Sequence, residues 1–359
     1  MFYREAGQFK TGYAADMAVF PILQDRVGIA VILLLAAVVV PLTGSAFFLS
    51  SVMIPFLVFS LAAMGLNIVT GYTGLISLGT GAFMGVGAYA CSKLSTLFPG
   101  VNILVWILAS GIFSAAIGAL FGLPSLRIKG FYLAVATLAA QFFLEWCFVR
   151  VPWLYNYNAS GAIDVGTHTL FGIAITGPTA SATARYMVLL GIVVLMTVVA
   201  SNILHGRIGR SFMAVRDMDI AAELMGIRLL PTKLLAFALS SFYCGVAGAA
   251  MMFLWYGGGE ASDAFNINQS FQILFMVIIG GLGSLIGCFF GAALLHLVPI
   301  FLKFGLPAMG IPLAGATAEH LNHLLVGSLI IFFLIAEPHG LARLWQITKQ
   351  KLRSWPFPY

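Results

Sequence analysis

Residues 101–122 read VNILVWILASGIFSAAIGALFG, 22 consecutive positions without an Asp, Glu, Lys or Arg. At the rise of an α-helix this run is ~33 Å long, enough to cross a ~30 Å hydrocarbon core. Working outward from it, nine more apolar runs recur at 27–43, 51–70, 77–97, 131–150, 185–204, 233–256, 270–286, 288–303 and 321–337. The pattern predicts an all-α polytopic membrane protein with about ten transmembrane helices. The first run is short. The stretch 270–303 is continuous and is divided here in the Gly281–Gly287 region, with a re-entrant segment as the competing reading.

Composition agrees with this reading. Hydrophobic residues make up 61% of the 359 positions and charged residues only 8%, against about 25% charged in soluble domains. So few charges could not cover a water-exposed surface, which excludes a soluble enzyme or nucleic-acid binder. The net charge of +6 is no nucleic-acid footprint, because the basic residues lie in short loops rather than on one solvated face. Cys91, Cys147, Cys244 and Cys288 sit in apolar runs with no C-x-x-C spacing and read as buried hydrophobes.

Basic residues also orient the chain, since Lys and Arg near span ends favour the cytoplasmic side. With both termini inside, fourteen of the 18 Lys and Arg fall on inner segments, and Lys93, Arg150, Arg185 and Lys303 lie at outer ends. An even number of spans closes consistently. The division is a cytoplasmic segment 1–26, a transmembrane domain 27–337 and a cytoplasmic tail 338–359. Glu5, Asp16 and Asp25 interrupt the first segment and no small-residue cleavage site follows, so it is expected to remain on the protein. The domain includes an outer loop at 151–184 and an inner loop at 205–232.

The inner loop carries GRSFMAVRDMDIAAELMGIR at 209–228. Phe212, Val215, Met218, Ala222 and Met225 recur on one helical face, with Arg216, Asp219 and Glu223 spaced to pair on another. Gly226 marks a helix stop. One reading is an amphipathic helix solvated at the membrane surface. The other is a helix seated in a groove of a second subunit, where small residues permit close approach.

Within the spans, Gly81 and Gly85, and Gly283, Gly287 and Gly291, stand four apart, as in packed membrane helices. A second reading has GYTG at 71–74 and GGLG at 280–283 breaking helices, so that helix ends face a solute. The pathway candidates are then Asn67, Gly71, Tyr72, Gly74, Ser77, Gly280, Gly281 and Gly283. Gln141 and Glu145 share a face of the fifth span, where a carboxylate lines a cavity or meets another polar group such as Arg150. G-x-x-x-x-G-K-[ST] and H-E-x-x-H are absent, and His320 and His323 beside Glu319 do not make a metal site. No cofactor or metal is expected.

Gly209, Arg210, Ala214, Val215, Arg216, Ala221, Ala222, Gly226 and Ile227 follow G-R-x-x-x-A-[IV]-R-x-x-x-x-A-A-x-x-x-G-I. This resembles the cytoplasmic loop of the LivM-type permeases of branched-chain amino acid ABC importers. Residues 65–89, 123–138 and 270–292 resemble three further motifs of that family, in order. Urea importers share the permease type, so the resemblance leaves the solute open. It implies a bacterial inner-membrane subunit forming half of a translocation path. Its partners would be a second related permease, two ATP-binding subunits, a periplasmic solute-binding protein and membrane lipid, with no nucleic acid.

On that resemblance 209–228 is the coupling helix, with Gly209, Arg210, Ala214, Ala221, Ala222 and Gly226 in its motif. Arg216 is the foremost polar contact to the ATPase and Glu223 the next. The chain departs from the family at Asn158–Ala162, where T-G-G-x-x-G is common, and at Ser262 and Asp263, where Ser-Pro is common. A stand-alone secondary transporter or channel is the alternative, and it gives the inner helix no task.

Overall fold

The computed structural model describes residue 12 and residues 23–125, 132–158, 162–170, 172–177, 179–305, 315–336 and 340–354. Most of segment 1–26, Arg127 and Lys129, and the end of the tail lie outside the described residues.

Apolar runs with no water to satisfy their backbone must bond internally, so they wind into helices. In chain order these are α1 (23–43), α2 (Ala46–Tyr72), α3 (Thr80–Leu97), α4 (Ile103–Ser125), α5 (Tyr132–Arg150) and α6 (Ala182–His205). Two short helices follow, α7 (Arg207–Asp217) and α8 (Asp219–Leu224). The last five are α9 (Leu229–Tyr256), α10 (Ile267–Gly280), α11 (Leu285–Phe304), α12 (Gly315–Ala336) and α13 (Gly340–Ser354).

Among the described residues, 7 helices are long and apolar enough to cross a membrane: α1, α2, α4, α5, α6, α9 and α11. The other three expected runs are helical as well. Gly, Ser and Thr lower the apolar content of α3, and the apolar parts of α10 and α12 are short, Ile267–Gly280 and His320–Phe333.

The core is built around α9, which packs on α2, α3 and α4, while α11 packs on α2 and α10. Burial of the apolar window falls from 89% in α2 and 72% in α9 to 0% in α1. The central pair therefore reads as protein-enclosed and α1 as peripheral, held partly by Tyr186 Oη donating to the Ala36 carbonyl at 2.8 Å. Glycine permits the closest crossings, because in lipid helices gain by direct backbone contact. A Cβ on Gly87 would lie 2.0 Å from the Gly245 carbonyl oxygen, and one on Gly248 would lie 1.9 Å from that of Met84.

The long apolar stretch does divide, at Gly281–Ser284, and α10 and α11 return against one another. Their contact stripe is Gly280, Gly287 and Gly291. Gly283 is not part of that stripe, because it sits in the turn at φ +78°.

The outer loop is not purely irregular. It holds three two-residue strands, β1 (Ile163–Asp164), β2 (Thr169–Leu170) and β3 (Ile173–Ala174), of which β2 and β3 pair with each other, and a fourth, β4 (Gly258–Gly259), follows α9. The antiparallel β1–β4 register, Ile163 with Gly259 and Asp164 with Gly258, pins the loop to the segment after α9. His168 lies beside the Phe253 ring, and partial burial lowers its imidazole from the ordinary value.

Candidate functional site

Two helix breaks and the inner loop meet at one end of the bundle. The first break follows α2, whose last turn widens into a π-helix over Ile68–Tyr72. Thr73 Oγ1 donates to the Ile68 carbonyl at 3.0 Å, and Gly74 turns the chain at φ +74°. The second break is the turn at Gly281–Ser284, with Gly281 at φ +116°.

Asn67 joins the two breaks. Its Oδ1 accepts from the Gly283 N–H at 2.9 Å, and its Nδ2 donates to the Ser284 carbonyl at 2.9 Å and to Cys288 Sγ at 3.2 Å. The side chain is fully buried. Gly71 is required beside it, because a Cβ there would stand 1.9 Å from Asn67 Oδ1 and 2.3 Å from the Gly283 nitrogen.

A second polar cluster lies at the start of α3. The first N–H groups of a helix lack intrahelical acceptors, and Gly79, ahead of α3, has no side chain to cap them. Other helices supply the acceptors. Ser270 Oγ accepts from the Gly81 N–H at 2.7 Å, and Gln141 Oε1 accepts from the Ala82 N–H at 2.7 Å. Ser270 Oγ also donates to Gln141 Oε1 at 3.0 Å, while Gln141 Nε2 donates to the Phe265 carbonyl at 2.8 Å. Thr137 Oγ1 takes the Leu78 N–H at 2.9 Å.

The pathway residues expected from sequence therefore separate into two groups. Asn67 and Gln141 are fully buried and spend their polar atoms on backbone groups or neighbouring side chains. Gly71, Ser77, Gly280 and Gly281 are buried too. Tyr72 and Gly283 are half-buried and Gly74 is exposed. Glu145 is half-buried, one turn from Gln141, between the interior and the exposed rings of Phe142 and Trp146. Among the described residues it makes no ion pair with Arg150.

The inner loop differs from the single helix expected over 209–228. It breaks at Met218, whose backbone is extended at φ −161°, ψ 103°. Phe212, Val215 and Ala222 are buried as the helical face requires, but Met218 and Met225 are exposed because the break re-aims α8. Arg216 does not pair with Asp219. Its Nε and Nη2 donate to Asp217 Oδ1, each at 3.1 Å, and Nη1 donates to the Gly71 carbonyl at 3.0 Å. Asp219 instead accepts from Lys233 Nζ at 2.6 Å.

Gly226 does end α8, at φ +87°, with the Ile227 N–H reaching the Ala222 carbonyl at 3.0 Å. Gly209 is buried, and a Cβ on it would meet the Leu204 carbonyl oxygen at 1.9 Å. Arg210, Ala214 and Ala221 are half-buried, and Glu223 is exposed.

Sequence periodicity missed the outward face of this segment. Met218, Ile220, Leu224 and Met225 are all exposed, Leu224 at 85%. Among the described residues no group of three or more His, Cys, Asp or Glu could hold a metal ion. The half-buried Cys147 and buried Cys91, Cys244 and Cys288 are free thiols.

The family of permease components of branched-chain amino acid transport systems has a model that matches residues 48–334. The high-affinity branched-chain amino acid transport system permease protein LivM of Salmonella typhimurium is 28% identical over 308 residues, 79% of this chain and 68% of that protein. LivM of Escherichia coli matches to the same extent. The probable branched-chain amino acid transport permease protein LivM of Methanocaldococcus jannaschii is 25% identical over 338 residues, 82% of this chain and 92% of the relative. Among solved structures, PsaBC from Streptococcus pneumoniae in complex with Fab aligns at 14% identity with a TM-score of 0.44. It covers 85% of this chain and 98% of that chain, a likeness too loose to carry an argument.

Proposed function

Because the chain belongs to the family of permease components of branched-chain amino acid transport systems, we propose that it is one of two permease subunits of an ATP-driven importer. It is a multi-pass protein of the bacterial inner membrane and performs no bond chemistry of its own. Its partners are a second related permease, two ATP-binding subunits and a periplasmic solute-binding protein. The solute is a branched-chain amino acid or a related small polar molecule. Ten spans with both termini inside place the outer loop toward the binding protein and α7–α8 toward the ATPase.

The observation that carries this reading is the exposed apolar group Met218, Ile220, Leu224 and Met225 at the inner loop. Large apolar side chains gathered at a water-facing turn mark a surface that another protein covers. Glu223, exposed beside them, supplies a charged contact at the rim. A stand-alone secondary transporter gives this surface no task.

ATP binding closes the ATPases, displaces α7 and α8 and tilts α6 and α9, which those short helices join. The path then opens outward to take solute, and hydrolysis resets it. Tyr72, Gly74 and Glu145 are the pathway-facing groups proposed here, while Asn67, Gln141 and the buried glycines hold the helices that form its wall.

Replacing two of the four apolar residues tests this directly. Ile220→Asp with Leu224→Asp should leave membrane insertion intact and abolish co-purification of the ATPase. Uptake of labelled leucine, isoleucine or valine would fall with it. Undiminished ATPase capture by the inserted double variant sinks the docking assignment.

A further inference from the structure

Arg216 belongs to the segment that faces the ATPase in this reading and its side chain is 39% exposed, yet one edge of its guanidinium reaches back to the bundle. Nη1 donates to the carbonyl of Gly71, among the last residues of α2, at 3.0 Å. Carbonyls at a helix C-terminus lack intrahelical partners and carry partial negative charge, so a cation is favoured there. A guanidinium donor also makes the bond charge-assisted.

The side chain runs between the two breaks. A Cβ on Gly74 would lie 2.9 Å from Arg216 Cγ, and one on Gly283 would lie 3.1 Å from Nη1. Both glycines have positive φ, +74° and +78°. Asp217 holds the guanidinium from the other side through Nε and Nη2. Asn67 ties the first break to the second through Gly283 and Ser284. Arg216 thus bonds Gly71, Gly71 packs against Asn67 four residues earlier in α2, and Asn67 bonds Gly283, which links the inner loop to both breaks.

We propose that Arg216 is a strut: a positioning residue that carries displacement of α7 to the two helix breaks together, and is not part of the ATPase contact. This rests on the docking reading above. The fork geometry suits the role, because several donors in one rigid plane grip Asp217 and Gly71 at once. Movement of the breaks as a unit re-aims α2 and α3 on one side and α10 and α11 on the other.

The test uses the full reconstituted complex and needs no knowledge of the solute. Ile76, 49% exposed within the first break, is replaced by cysteine, with Cys147→Ala removing the half-buried native thiol. Maleimide labelling is followed with and without a non-hydrolysable ATP analogue. With Arg216 in place the analogue should change the labelling rate about fivefold or more, the size of a modest coupling free energy. In Arg216→Gln the ATPase should still co-purify and hydrolyse ATP, while labelling no longer responds to nucleotide.

Gly74→Ala, which crowds the Arg216 stem and keeps its charge, should weaken the response in the same direction. It carries the test if Arg216→Gln fails to insert. A full nucleotide response in either variant overturns the strut, as does an absent response with Arg216 intact. Loss of the ATPase from Arg216→Gln would move this residue to the docking surface and overturn it too. Failure of the docking reading is seen separately, as ATPase retained by Ile220→Asp with Leu224→Asp.

Discussion

Asn67 shows how one polar residue in an apolar run can specify the joint between two distant parts of the chain. Its amide supplies both a donor and an acceptor to a turn more than two hundred positions later. Each such bond contributes about 1 kcal/mol net, but leaving its buried partner unsatisfied costs about 1–3 kcal/mol. Gly71→Ala should therefore be severe, because the added Cβ collides with Asn67 Oδ1 and the Gly283 nitrogen. We expect a loss of about 2–4 kcal/mol from overpacking and broken bonds, read as a lowered unfolding midpoint in detergent. An unchanged midpoint would contradict the assigned joint. Gly226 offers a contrast within one chain. Nothing lies within 4 Å of its added Cβ, and the strain is that of φ +87° alone. Gly226→Ala should cost only about 1–2 kcal/mol. Both glycines stood out in the sequence, but their unequal demands did not.

At the scale of elements, two helices are defined by what caps or breaks them. The first turn of α3 depends on Ser270 from α10 and Gln141 from α5. The shared face of Gln141 and Glu145 is open to two readings, a pathway lining or a polar contact with another helix. Gln141 bonds the Ala82 N–H and the Phe265 carbonyl, while Glu145, one turn on, is half-buried. Gln141→Leu should orphan the Ala82 N–H and the Phe265 carbonyl, at about 1–3 kcal/mol each. Amide exchange in the first turn of α3 should then speed by about tenfold or more, with the C-terminal turns of that helix much less affected. Uniform exchange along α3 would show that Gln141 does not cap it. The kink between α7 and α8 is a second case. A regular 3.6-residue period across 209–228 hid it, because Met218 is compatible with a helix and nothing local forbids one. Lys233 reaching back to Asp219 and the packing of Phe212 and Ala222 favour the broken form.

For the whole molecule, the proposed orientation puts the outer loop and the α7–α8 corner on opposite sides of the membrane. Tyr157, 73% exposed, and Leu224, 85% exposed, are convenient reporters. A membrane-impermeant thiol reagent should label Tyr157→Cys in spheroplasts and Leu224→Cys only in inverted vesicles. Labelling of both from one side would reject the topology. Burial also grades across the bundle, from the enclosed α2 and α9 to α1, whose apolar window is 0% buried. A helix with that surface is suited to lipid or to another subunit. The ten apolar runs alone could not rank the spans in this way.

Apolar run length, the scarcity of charge and the placement of Lys and Arg determined the membrane class and the proposed orientation. These are properties of chain against solvent, and they need no knowledge of neighbours. The ordered motifs pointed to the same family as the model match over residues 48–334. The structure alone decided what each polar group bonds. Asn67, Gln141 and Arg216 reach partners far along the chain or on another element, and no local period encodes such a pairing. A buried amide must find a partner wherever the fold brings one within hydrogen-bonding distance, and that distance, like the one from the partly exposed Arg216 to Gly71, exists only once the helices have packed.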